Sequence, residues 1–367
     1  MRTHKIDNTT IEYPDEIAFC FNPMVVNVLG HPWAWIEAVV RDVATGIEHS
    51  EKRALFQSTC FFDLSFYTQS YFDTIQFGRI DYSLSGAEDT QLGRLFSFDL
   101  NMYSENGQLG ESFQFETYVV WGAMKIGERY NGDRVLTWFK NFPFTIGMYS
   151  AGESSVNVTA DGKSLPAVRL PKRNIYNLFL TGIDAQKEVK FDLSGTGTGT
   201  VGSVFDMTFD YTFHIVAGAS SSVRLLIDDC TSGVYLRWIS RHGFYCYWLF
   251  KAGDEKKQVV NNGEFIRNNM RDYSYVNGYH GGTGRKQRKT EENTLPVCAP
   301  LVDSDTYDFL FQLTMSPVVD MYMGKDVDKK ERWQGVNIAV ETFNKTRAVL
   351  QDFVATIILP EIRVQSL

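Results

Sequence analysis

The chain has 367 residues, which ordinary domain sizes divide into two or three domains. With 44% hydrophobic and 22% charged residues it has globular composition, which argues against a disordered chain. Its formal net charge of −8 argues against a nucleic-acid binder held by a general phosphate field.

Phe 27, Tyr 18 and Trp 7 make the chain 14% aromatic, and rings fit the pleated surface of a sheet. From Ile17 the sequence reads as short extended runs, "IAFCF", "MVVNVLG" and "WAWIEAVVRD", punctuated by Pro, Gly and Asn. Pro23 stands at a strand entrance, where its missing N–H does least harm. "RDVATGIEH" predicts a hairpin turning at Thr45-Gly46, and Asn106-Gly107 between two extended runs predicts another. "CFFDLSFYTQSYFD" (60–73) suits either a helix end or a covered strand. Pro143 limits its stretch to an edge strand or a bend.

Polar "AGESS" (151–155) and "AGASSS" (217–222) read as linkers. They predict three domains: a β-rich one over 1–150, a β-rich domain or insertion over 151–220, and an α+β domain over 221–367. The fold class is therefore mainly β, two sandwich-like domains followed by an α+β domain. The clearest helix follows "DSDTYD", where Asp303, Ser304 and Asp305 are candidate N-caps and Pro317 is the stop. Val336, Ile338 and Val340 alternate with polar residues, as in a half-buried strand.

The last domain opens with "GVYLRWISRHGFYCYWLF" (233–250). If Ser240-Arg241-His242-Gly243 forms the loop, Ile239 faces Phe244. One face then carries Tyr235, Arg237, Ile239, Phe244, Cys246 and Trp248, and the other Val234, Leu236, Trp238, Tyr245, Tyr247 and Leu249. Neither face is polar, whereas a half-exposed hairpin alternates apolar and polar residues. Both sides must be covered, by the chain itself or by a neighbouring copy.

No catalytic constellation is legible. The histidines (4, 31, 49, 214, 242, 280) occur singly, with neither HExxH nor HxH. His214 reads as mid-strand and His242 as a turn residue. The five cysteines are scattered without CxxC and read as reduced, mostly buried thiols. "GTGTVG" (197–202) matches a dinucleotide fingerprint in letters, but a strand-like run follows it where a helix is required. "DSDTYD" lacks the glycine and the final glutamate of a calcium loop. Asp228 and Asp229 are adjacent in an extended run, so they point to opposite faces. These residues predict no enzyme, no cofactor and no metal site.

The opening "MRTHKIDNTTIEYPDE" has no apolar secretion core, and no apolar run approaches the ~20 residues of a membrane span. The expectation is a protein made in a cytoplasm and released, if at all, by lysis, with no membrane span. The loop "GYHGGTGRKQRKTEEN" (278–293) is glycine-rich and then basic. It reads as a solvated loop or as an arm that orders against an acidic neighbour.

The segments "YLRWISRHGFYCYWLF", "TLPVCAPLVDSDTYDFLFQLTMSPVVDMY" and "RWQGVNIAVETFNKTRAVLQDFVATIILPE" form an ordered series. An aromatic hairpin precedes a helix ending in S-P-V, then a tryptophan-led strand and a final LPE strand. The series resembles uncharacterised structural proteins of phages and prophages of gut Bacteroidales bacteria. The likeness covers 230–367 and extends more loosely to "FNPMVVNV" and "NFPFTIGMY". It implies a virion protein of tail or baseplate type, assembled in the bacterial host cytoplasm. Its partners would be copies of itself in a ring-like oligomer and other virion tail proteins, with no direct contact to nucleic acid. Candidate interface residues are Trp238, Tyr245 and Tyr247 of the hairpin and Arg285, Lys286, Arg288 and Lys289 of the basic loop. The alternatives are a carbohydrate-binding adsorption module whose exposed rings stack on a host-surface glycan, and a wall-degrading tail hydrolase.

Overall fold

The structure is a computed structural model. It describes all residues except 1, 31–32, 73–79, 81, 83–85, 90, 131–133, 151–153, 172, 180–186, 193–206, 210–214, 218–221, 262–263, 266–272, 277, 280–284, 287–288 and 361–367. The chain is mainly β, as its ring-rich composition predicts. It divides into two compact units, Met1–Thr231 with Trp238–Trp248, and Ser232–Arg237 with Leu249–Leu367.

The first unit opens with β1 (Arg2–Ile6), β2 (Thr9–Tyr13), β3 (Ile17–Phe19), β4 (Val25–Leu29), β5 (Trp35–Asp42), β6 (Glu48–Ala54) and β7 (Thr59–Asp63). Then come α1 (Ser65–Ser70), β8 (Gly86–Glu88), β9 (Gly93–Tyr103) and β10 (Leu109–Val120). These strands build a four-stranded sheet, β1-β2-β4-β7, and a five-stranded one, β3-β10-β9-β5-β6. Alternation sets the inner faces: Ile36, Ala38, Val40 and Asp42 of β5 are all buried. Buried Asp42 ties the expected Thr45-Gly46 turn, accepting from the Thr45 hydroxyl at 2.7 Å and from Arg94 at 2.9 Å. Gly46 and Gly107 both adopt positive φ in their turns. The described part of the ambiguous 60–73 stretch holds the end of β7, which leaves Phe61 exposed where a covered strand would bury it, and then the short α1.

The unit continues with β11 (Arg129–Tyr130), β12 (Arg134–Phe139), β13 (Ile146–Ser150), β14 (Ser154–Ala160), β15 (Lys163–Leu170) and β16 (Asn174–Leu178). It ends with β17 (Glu188–Asp192), β18 (Met207–Phe209), β19 (Ile215–Ala217) and β20 (Ser222–Asp228). Here the structure departs from the expected boundaries at 150 and 220. β13 pairs with β16, which pairs with β8, and β12 lies parallel to β20 in the sheet β12-β20-β17-β14-β15. Strands on both sides of residue 150 share hydrogen-bond ladders, so 1–150 and 151–220 form one unit. A polar stretch marks a turn as readily as a linker. Pro143 lies in the bend between β12 and β13.

The second unit begins within β21 (Val234–Ile239) and β22 (Tyr245–Ala252), whose outer halves belong to the first. β23 (Lys256–Asn261), β24 (Glu264–Phe265), β25 (Tyr273–Ser274), β26 (Gly278–Tyr279), β27 (Arg285–Lys286) and β28 (Lys289–Val302) follow. Then come α2 (Ser304–Met315), β29 (Val319–Lys325), β30 (Glu331–Ile338) and β31 (Gln351–Ile358). The strand order β22-β21-β29-β30-β31-β28-β23 includes a further pairing of β22 with β28, so six of the strands close into a ring. Closure removes free edges from those strands. Phe353, Ala355 and Ile357 of β31 point inward, with Val297 and Ala299 of β28. The expected alternation reaches Val336 and Ile338, but β30 ends there and Val340 is exposed.

Helix α2 starts where its cap predicts. The Asp303 carboxylate accepts from Thr306 N–H at 2.7 Å, and the helix stops before Pro317. That hydrogen bond holds the Asp303 carboxyl below its usual range. Tyr307, Leu310 and Leu313 form the buried face, with the Tyr307 ring edge-on to Phe353 at 5.3 Å. Asp303→Ala is expected to cost about 1 kcal/mol, the ordinary worth of an N-cap. Urea unfolding at neutral pH checks it, and an unchanged midpoint would refute it.

Candidate functional site

The aromatic hairpin departs from the expected register. Ser240 N–H donates to Phe244 O at 2.7 Å and Gly243 N–H to Ser240 O at 2.9 Å, so the loop is Arg241-His242-Gly243. Gly243 at φ +80° supplies the left-handed residue that closes such a three-residue loop. Ile239 therefore lies across from Tyr245, one residue away from the expected pairing.

Both faces are covered within the chain. In the first unit the Tyr247 hydroxyl is 2.8 Å from the Thr145 hydroxyl and 3.2 Å from that of Tyr82. Phe139 meets Trp248 edge-on at 5.6 Å. The tip needs backbone room, and two glycines leave it. A Cβ on Gly147 would come within 2.6 Å of the Phe244 ring, and one on Gly122 within 2.4 Å of Arg241 O. Trp238, Tyr245 and Tyr247 are 0%, 5% and 2% exposed. The rings expected as contacts with a neighbour are thus sealed by the chain itself.

At the base, in the second unit, Arg237 has its guanidinium buried. It donates to Asp320 Oδ2 from Nη2 at 2.6 Å and from Nε at 3.2 Å, and lies 4.2 Å over the Trp333 ring. Removing one partner of such a buried pair leaves an uncompensated charge and costs about 3–5 kcal/mol.

The loop also carries a cluster that the sequence hides. Arg241 and His242 both reach Glu128 Oε1, His242 Nε2 at 3.2 Å, while Lys125 N–H donates to Glu128 Oε2 at 2.9 Å. Ala123 N–H donates to Arg241 O at 2.7 Å. Burial alone would raise the Glu128 carboxyl. Hydrogen bonds from His242 and Lys125, with the charges of His242 and Arg241, outweigh burial and hold it below the ordinary value of 4.5. This arrangement fastens the tip of the hairpin. Among the described residues no group of three or more His, Cys, Asp and Glu side chains could hold a metal ion.

In the basic segment, Arg285 and Lys286 form β27 and pair with Phe265 and Glu264 of β24. Lys289 is exposed at the start of β28, opposite Asn261. Arg288 lies outside the described residues, as do His214, His280 and the 197–202 glycine loop. No helix among the described residues is long and apolar enough to cross a membrane.

Two of the open surfaces among the described residues lie in the first unit. One is a groove of about 360 Å³ lined by Arg2, Tyr13, Phe113, Phe115, Glu116 and Arg173 with Gln114. Phe113 stacks on His4 at 4.5 Å and meets Tyr13 edge-on at 5.0 Å. The other is the segment from the turn before β7 to α1. It exposes Phe56, Phe61 and Phe66 at 75%, 57% and 74%. Arg53 stacks over Phe61 at 5.2 Å and pairs with Glu51 at 2.5 Å. Spacing alone did not mark either surface, because each draws on turns and on which strand face points outward.

No protein-family model matches this chain, and no curated protein matches it.

The Glu128 carboxylate stabilises the folded state above the ordinary carboxyl range, and that stability is lost as pH falls through its depressed value. Glu128→Gln is therefore expected to be less stable than the native chain at neutral pH, with the gap closing below about pH 4.5. Urea unfolding across pH checks this, and a gap independent of pH would refute it.

Proposed function

We propose that this chain is a non-enzymatic structural protein of a bacteriophage particle, of tail or baseplate type, that works by assembling with copies of itself and with other virion proteins. The observation that supports assembly most is the exposed trio Phe56, Phe61 and Phe66. Three exposed rings so close along the chain are candidates for a docking surface, because monomeric proteins rarely leave much apolar surface in water. Covering one phenylalanine contributes roughly 1.5–3 kcal/mol, so a second copy seated here gains from each ring. The resemblance of residues 230–367 to phage structural proteins supplies the biological setting, including assembly in the host cytoplasm.

The carbohydrate-binding alternative asks for tryptophans and tyrosines presented to solvent in a planar row. All seven tryptophans are described and each is buried or half-buried, while Tyr275 is exposed. The groove by Arg2 offers two partly covered rings, short of a stacking platform.

Electron microscopy and light scattering of the purified chain are expected to show a closed ring-like oligomer. Phe56→Ser, Phe61→Ser and Phe66→Ser combined should leave folded monomers with unchanged circular dichroism. A native chain that stays monomeric at high concentration and is missing from purified particles would overturn the reading.

A further inference from the structure

We propose that the outer edge of β10, beside Arg2 and Arg173, docks an extended acidic segment of a partner polypeptide as an added strand. This deepens the assembly reading and shares its premise that the chain acts by docking.

The backbone defines the edge. Tyr118 N–H donates to Glu16 O at 2.8 Å and Val120 O accepts from Cys20 N–H at 2.9 Å, so even-numbered residues of β10 face the side of β3. Trp121 N–H donates to Leu92 O at 2.8 Å, placing odd-numbered residues on the side of β9. β3 pairs only with Tyr118–Val120. Alternation therefore turns the N–H and C=O of Ser112 and Gln114 outward, and no described strand pairs with them there. Exposed strand edges are templates for another chain.

Charge selects the occupant. Arg2 donates to Pro14 O at 2.9 Å and to Glu116 O at 2.8 Å, and its guanidinium lies 4.8 Å over Tyr13. Both bonds go to carbonyls, so among the described residues its charge has no carboxylate partner. Arg173 donates to the Glu116 carboxylate at 2.6 Å. The charged residues that line the groove are thus two guanidiniums and one carboxylate, in a chain whose net charge is −8. That local excess of positive charge favours an acidic partner in the groove.

Arg173 is also held in an unusual backbone state, at φ +51°. Side chains there carry strain, and such residues cluster at ligand clamps. The turn is anchored two residues on, where Ile175 N–H donates to the buried Tyr118 hydroxyl at 3.0 Å. Burial pushes that phenol well above its usual range, so it stays neutral and keeps accepting.

The test is fluorescence anisotropy of the purified chain with labelled β-prone peptides that are identical except for glutamate or lysine at alternate positions. The glutamate peptide is expected to bind at least about tenfold more tightly. N-methylation of its alternate amides should abolish binding. Arg173→Glu should reverse the preference. Gln114→Pro removes an outward N–H while leaving the ladder to β9 intact, so it should weaken binding about tenfold. Should that variant not fold, the N-methylated peptide carries the same test. Equal binding of acidic and basic peptides, indifference to N-methylation, or binding of acidic sugars in place of peptides would overturn the proposal. A chain that joins particles yet ignores acidic peptides refutes this edge and leaves assembly standing. A chain that binds them but never joins particles does the reverse.

Discussion

A two-stranded ribbon with rings on both faces cannot be left in water on either. Each large side chain forfeits roughly 1.5–3 kcal/mol when uncovered, so the surrounding chain is built to receive it. Gly122 and Gly147 give up their side chains where the tip arrives, and Thr145 and Tyr82 meet the Tyr247 hydroxyl. Around the loop, Glu128 takes two basic side chains at once. The base contributes Arg237, whose charge is buried only because Asp320 and Trp333 neutralise and cover it. Tip and base fall in different compact units, so one ribbon is part of the core of both.

With the ribbon sealed, the proposed docking would have to use other surfaces. The second unit closes six strands into a ring and so hides their edges. In the first unit β6 is an edge strand too, but it carries Glu48, Glu51, Lys52 and Arg53, charges that discourage pairing. The outward edge of β10 lacks that protection over Ser112 and Gln114, and the phenylalanines around β7 lack cover. In the proposed assembly the exposed phenylalanines would supply binding energy and the strand edge would supply choice of partner.

Local features were legible in the sequence because their causes are local. Gly46 and Gly107 mark hairpins through the positive φ their turns require, and Asp303 marks a helix start through one hydrogen bond three residues on. The need to cover both hairpin faces was legible for the same reason, since composition alone states it. What covers them was not. Glu128 lies 114 residues before His242 and Asp320 lies 83 after Arg237, and no spacing rule joins such pairs. The division at residue 150 failed likewise. A polar stretch looks the same whether it separates domains or lies between strands such as β13 and β14 that stay within one unit. The groove joins Arg2 to Arg173 only through the fold.

Hydrogen exchange of the backbone amides in β21 and β22, measured on the chain held as a monomer at low concentration, tests the central claim most directly. Cover supplied by the chain itself predicts that Tyr235 to Ile239 and Tyr245 to Phe250 exchange only through global unfolding, at a rate that does not change on assembly. Rapid exchange in the monomer, with protection gained only when copies associate, would contradict it.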